Sequence, residues 1–87
     1  MSGDALYKKI WPIRPRQAYK TYNTINRAQS VTYRANDMTV IATAHYDRSY
    51  QVEVLQKHQL CSRKISIGKI TGDNAKKIFY MAQLYCR

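Results

Sequence analysis

Disulfide frameworks, metal clusters and membrane spans all need residues that this chain has in short supply. Its 87 residues include two cysteines, two prolines, three glycines and five acidic side chains. A structural zinc site wants four ligands, and His58 with Cys61 forms only an H-x-x-C half-site, so that kind of fold anchor is excluded. Cys61 and Cys86 are therefore expected as small packing residues in a reduced, cytoplasmic setting, since nothing at the N-terminus resembles a secretory signal. No apolar run approaches the ~20 residues that span a bilayer. Internal repeats and low-complexity tracts are missing too, which excludes solenoid and linker architectures. No metal or cofactor is expected.

The shortage of acid has the largest consequence. Fifteen Lys and Arg stand against those five acids, a formal charge of +10, and such a surface attracts polyanions and speeds encounter with them. The excess is lopsided: residues 1–36 hold seven basic side chains against Asp4 alone, and residues 37–87 hold eight against four acids. Disorder does not follow from the charge, because hydrophobic residues make up 45% of the chain and eight of them are Tyr, anchors that disordered segments lack. The length permits one small core. The expected organisation is a single domain over 1–87, with an extended basic arm at 1–16 and a folded core at 17–87.

The arm follows from Pro12 and Pro15, which remove backbone donors and push their predecessors toward extended conformations. Ala18, Tyr22, Ile25 and Gln29 fit a weak helical stripe, giving a short helix over about 16–28, although Val31 and Tyr33 in "SVTYRA" alternate like a strand. After the Asn36-Asp37 turn, Met38, Val40, Ala42, Ala44 and Tyr46 recur at period two, and beyond "DRS" so do Tyr50, Val52 and Val54. These two segments should pair as an antiparallel hairpin. A third strand runs through "RKISIGK", with Arg63, Ile65, Ile67 and Lys69 sharing one side and Lys64 and Ser66 the other. Gly68 or Gly72 then turns the chain, Thr71 or Asp73 caps a helix by accepting its free N–H groups, and Ala75, Ile78, Phe79, Ala82 and Tyr85 form that helix's apolar stripe. The expected fold is α+β, a three-stranded antiparallel sheet packed by a C-terminal helix, with the basic arm and room for an additional short helix. The uncovered sheet face would display Thr39, Thr43, His45, Gln51, Glu53, Lys64 and Ser66, interrupted by Ile41 and Leu55. The N-terminal segment is a candidate cover for part of it.

Three strands, then "RKISIGKITGDNAKKI" running through a Gly turn into a helix, resemble the small arm-binding modules of tyrosine integrases from phages and integrative elements. The match covers residues 38–82, and Arg63, Lys64, Ile65, Ile67, Gly68, Thr71, Ala75 and Lys76 sit where the pattern wants them. The resemblance implies that the exposed sheet face enters a DNA major groove while strand and turn basics contact phosphates. The family's Gly-rich hairpin turns are missing, and no catalytic domain accompanies the match, so recombinase activity does not carry over.

The residues themselves point the same way. Arg14, Arg16, Lys20, Arg27, Arg34, Arg63, Lys64 and Lys69 are candidate phosphate contacts, each releasing counterions on binding. Trp11, Tyr19 and Tyr22, interleaved with Arg14, Arg16 and Lys20, suit stacking on unpaired bases and suit core packing equally. The leading expectation is a non-enzymatic nucleic-acid-binding protein of a phage or mobile element, as a monomer or dimer, with DNA ahead of RNA. The rival is a phage-type inhibitor, anti-CRISPR-like or directed at a nuclease, docking on a host nucleic-acid-processing complex; the Trp11-Pro12-Ile13 segment would suit a protein groove. A third reading, a small basic ribonuclease toxin, would use His45, His58, Glu53 and Tyr46.

Overall fold

The fold is that of a computed structural model describing residues 3–11, 14–58, 60 and 63–86. Pro12, Ile13 and Cys61 lie outside the described residues, and so do the expectations that rest on them.

Five strands form one antiparallel meander, in which sequence neighbours are also sheet neighbours: β1 (Arg16–Asn23), β2 (Ala28–Ala35), β3 (Met38–Ala44), β4 (Tyr50–Lys57) and β5 (Lys64–Thr71). A short helix α1 (Gly3–Ile10) precedes the sheet and α2 (Gly72–Gln83) follows it. The three-stranded expectation is thus corrected to five. The stretch read as a helix over about 16–28 is β1 and its turn into β2, paired from Tyr19↔Thr32 to Asn23↔Ala28. Its weak helical stripe was accidental, because β1 is an edge strand exposed along nearly its whole length and has no buried face to impose period two. The arm is corrected as well: residues 3–10 are helical, with Leu6 fully buried and Ile10 nearly so.

Each turn has a local cause. Asn23 Oδ1 accepts the backbone N–H groups of Ile25 and Asn26, both at 3.0 Å, an Asx-type turn closed by Arg27 in the left-handed region at φ 51°. Asn36, at φ 58°, makes the tight turn that the sequence signals, since asparagine tolerates that region better than other residues with a Cβ. Between β3 and β4, Asp47 Oδ1 accepts both the amide and the hydroxyl of Ser49, which holds its carboxyl below the usual range.

One face of the sheet carries the core. Val31 and Tyr33 on β2, Met38, Val40 and Ala42 on β3, Val52 and Val54 on β4 and Ile70 on β5 pack with Leu6 and Ile10 of α1 and with Ala75, Ile78, Phe79 and Ala82 of α2. The expected stripe of α2 holds except at Tyr85, which is exposed. Thr71 stands at the N-cap of α2, yet its side chain makes no capping hydrogen bond; it belongs to the sheet, opposite Gln51. No helix among the described residues is long and apolar enough to cross a membrane.

One core group is out of balance. Tyr33 is 1% exposed and its hydroxyl has no hydrogen-bond partner among the described residues, an arrangement that costs about 1–3 kcal/mol. Tyr33→Phe is therefore expected to leave stability unchanged or raise it by about 1 kcal/mol in denaturant melts. Burial also pushes the phenol well above its ordinary value. The native state then keeps a proton that the unfolded chain has lost, so stability falls as pH rises beyond about 10, by about 1.4 kcal/mol per pH unit. Melts from pH 8 to 11 should show this alkaline loss to be shallower in Tyr33→Phe.

Candidate nucleic-acid interface

Both helices lie on the core side, so no helix among the described residues covers the opposite face of the five strands. The registers assemble that face row by row. Thr21, Ser30, Thr43, Gln51 and Thr71 stand abreast; Tyr19, Thr32, Ile41, Glu53 and Lys69 form the next row; Arg16, Arg34, Thr39, Leu55 and Ser66 the third; and Lys57 faces Lys64 beyond it. The Ser30 and Thr43 hydroxyls lie 3.0 Å apart in the row farthest from the like-charge pairs, and Arg16–Arg34 and Lys57–Lys64 sit at the two edges of the opposite end of the face.

The charges are unevenly matched. Lys69 stands opposite Glu53, the face's one carboxylate, and that pair is balanced. Arg16 faces Arg34, and Lys57 faces Lys64, with no carboxylate opposite either pair. Like charges directly across a sheet cost stability, on the scale of ~0.2–1 kcal/mol per pair, and an anion laid between them would reverse the sign. On ideal sheet spacing, Arg34 and Lys57 are two strands and two residues apart, about 12 Å. At the first corner, Arg16, Gln17, Arg34 and Asn36 line a shallow cleft. Gln17 sits at φ 53°, where the β1–β2 register shifts between Arg16 and Tyr19, and this irregularity sets Arg16 on the open face.

The candidate residues from sequence separate into distinct groups. Arg16, Arg34, Lys64, Lys69 and Tyr19 share the open face. Lys20 stands opposite core residue Val31, and Tyr22 opposite Gln29, so both belong to the helix side of β1, although both are exposed. Arg14 is exposed ahead of β1, Arg27 sits in the β1–β2 turn, and Arg63 leads into β5, its carbonyl accepting the His58 N–H. Trp11 lies beyond α1, its ring stacked on Tyr7 at 5.5 Å between centroids, away from the sheet face. Of the three aromatic residues, Tyr19 alone is positioned with the open-face charges, and it is 53% exposed.

Lys69 corrects a specific expectation. The alternation in "RKISIGK" places it beside Ile65 and Ile67, but the register shifts opposite Val54/Leu55, and one extra residue in a strand reverses the side of every residue after it. Lys57 was missed because "QKHQLC" reads as a connection. The signal was the continuing alternation Glu53, Leu55, Lys57.

No family model matches the chain, and no curated protein or solved structure gives a significant match. The residues weighed for RNA cleavage are scattered. His45 lines a cleft with Arg48, Gln51, Asp73 and Lys76, His58 lines another with Asp37 and Lys57, and Glu53 lines neither. Among the described residues, no group of three His, Cys, Asp or Glu is arranged to hold a metal ion.

Proposed function

We propose that this protein binds nucleic acid on the open face of its sheet, as a non-enzymatic protein of a phage or mobile element acting in the cytoplasm, with DNA preferred to RNA. One observation carries the reading: the in-register like-charge pairs Arg16–Arg34 and Lys57–Lys64, with no carboxylate across the strands from either, at two corners of a hydroxyl-rich face. Phosphates bridging those pairs relieve a repulsion that the free protein bears, and attachment through the backbone precedes any base contact. Tyr19, on β1 in the row next to Arg16, offers one stacking surface at the arginine edge.

Geometry alters the mode implied by the integrase resemblance. Five strands span four spacings of about 4.8 Å, about 19 Å, whereas a major groove about 12 Å wide admits a helix or a two-stranded ribbon. The whole face is too broad to insert, so the nucleic acid lies across it, from the arginine corner to the lysine corner.

The test is a binding isotherm with a fluorescent single-stranded DNA at several salt concentrations. Four phosphate contacts on a single strand give a log–log slope near −2.8, about a 50-fold loss of affinity from 50 to 200 mM salt. Binding that is absent at low salt, or flat across this range, rejects the reading.

A further inference from the structure

The helix side carries a second surface that the sheet-face reading does not use. Tyr7 and Trp11, one helical turn apart, face Tyr80 and Met81 of α2 and Leu84 at its C-cap across an open groove of about 720 Å³. Its walls are chiefly apolar. Leu84 is 79% exposed and Tyr80 51%, so large side chains on the C-terminal half of α2 are left in water while the opposite stripe of the same helix is fully buried. A helix of this length has no need of a second apolar face to fold, since its core stripe already docks it.

The rim carries the opposite chemistry from the floor. Among the described residues that line the groove, Lys76 and Lys77 stand with Asp73 as the one acid, and Lys8 and Lys9 end the neighbouring α1. Lys76 also sits 5.9 Å over the Tyr50 ring, whose hydroxyl lies 3.2 Å from that of Tyr80, so part of the rim is held in place. An apolar groove between two helices accepts the apolar stripe of a third, with anchors spaced at i, i+3, i+4 and i+7. A basic rim selects acidic side chains on that helix and repels basic ones.

We infer that the groove between α1 and α2 is a docking site for an acidic amphipathic helix of a partner protein. The protein would then hold nucleic acid on one face and an acidic protein on the other. This inference stands apart from the sheet-face reading, because no groove residue lies on the open face.

Trp11 is the chain's single tryptophan and lines the groove, so its emission reports occupancy directly. The probe is a designed peptide of about 14 residues, long enough to form a helix on docking, with Leu at helical spacing and Glu elsewhere; a second peptide carries Lys in place of every Glu. The acidic peptide should shift Trp11 emission saturably and bind at least about tenfold more tightly than the basic one. Leu84→Glu, at a position too exposed to matter for folding, should weaken it about tenfold, and Arg16→Ala with Arg34→Ala should leave it unchanged. Equal binding of the two peptides, no emission change, or indifference to Leu84→Glu overturns the inference. So does a single-stranded oligonucleotide that itself moves Trp11 emission, or self-association abolished by Leu84→Glu, which would assign the groove to nucleic acid or to a second copy.

Discussion

Replacing Arg16 and Arg34 together by alanine should weaken nucleic-acid binding by at least about tenfold and flatten its salt dependence by about 1.4 log units per log unit, two contacts at about 0.7 each. Thermal stability should hold or rise slightly, because the substitution removes a like-charge pair worth ~0.2–1 kcal/mol. That combination separates a binding role from a folding role: a structural pair would lose both together. The pair Lys57→Ala, Lys64→Ala should behave in the same way, whereas Lys20→Ala, on the helix side of β1, should change affinity less than about twofold. If Lys20→Ala proves as damaging as the arginine pair, binding follows bulk charge rather than the open face.

Leu6→Ala should lower stability by about 2–5 kcal/mol, the range for emptying a leucine site in a packed core. In a domain whose total stability is about 5–15 kcal/mol, with about 4–8 °C of melting temperature per kcal/mol, the midpoint drops by at least about 10 °C. Leu6 is fully buried as a member of the same core as Ile10 and Ile70, and α1 packs on β5, so the N-terminal segment contributes to the core. Were it instead an extended, solvated arm, Leu6→Ala would change stability by less than about 0.5 kcal/mol. Calorimetric or chemical melts of Leu6→Ala beside Lys9→Ala decide between them.

What could be read from the sequence depended on burial. β3, β4 and the inner stripe of α2 are half-buried, so their period of two or of 3.6 is written in apolar residues: Val40, Ala42, Val52 and Val54, then Ala75, Ile78 and Ala82. Of the open-face set expected from the same alternation, the registers place Thr39, Thr43, Gln51, Glu53, Lys64 and Ser66 together, whereas His45 lies past the end of β3 and lines the cleft with Asp73 and Lys76. β1 has no such signature, because an edge strand with water on both faces needs none. α1 spans eight residues, little more than two turns at 3.6 residues each, too short for the spacing of Leu6, Tyr7 and Ile10 to stand out, and the prolines beside it argue for extended chain. The side on which Lys69 lies was illegible for a different reason, since a register shift set by pairing with β4 is a property of two strands at once. The like-charge pairs were hidden likewise: Arg16 and Arg34, far apart in sequence, meet only through a hairpin that the local pattern disguised.

The claim that nucleic acid lies across the open sheet face can be put to methyl NMR during titration with single-stranded DNA. Ile41, Leu55, Thr39 and Thr43 belong to that face, and Ile78 and Met81 of α2, with Leu84 at its C-cap, lie on the helix side of the sheet. The first set should shift progressively and saturably while the second stays in place. Shifts gathered on Met81 and Leu84, with Ile41 and Thr39 unmoved, would contradict the claim.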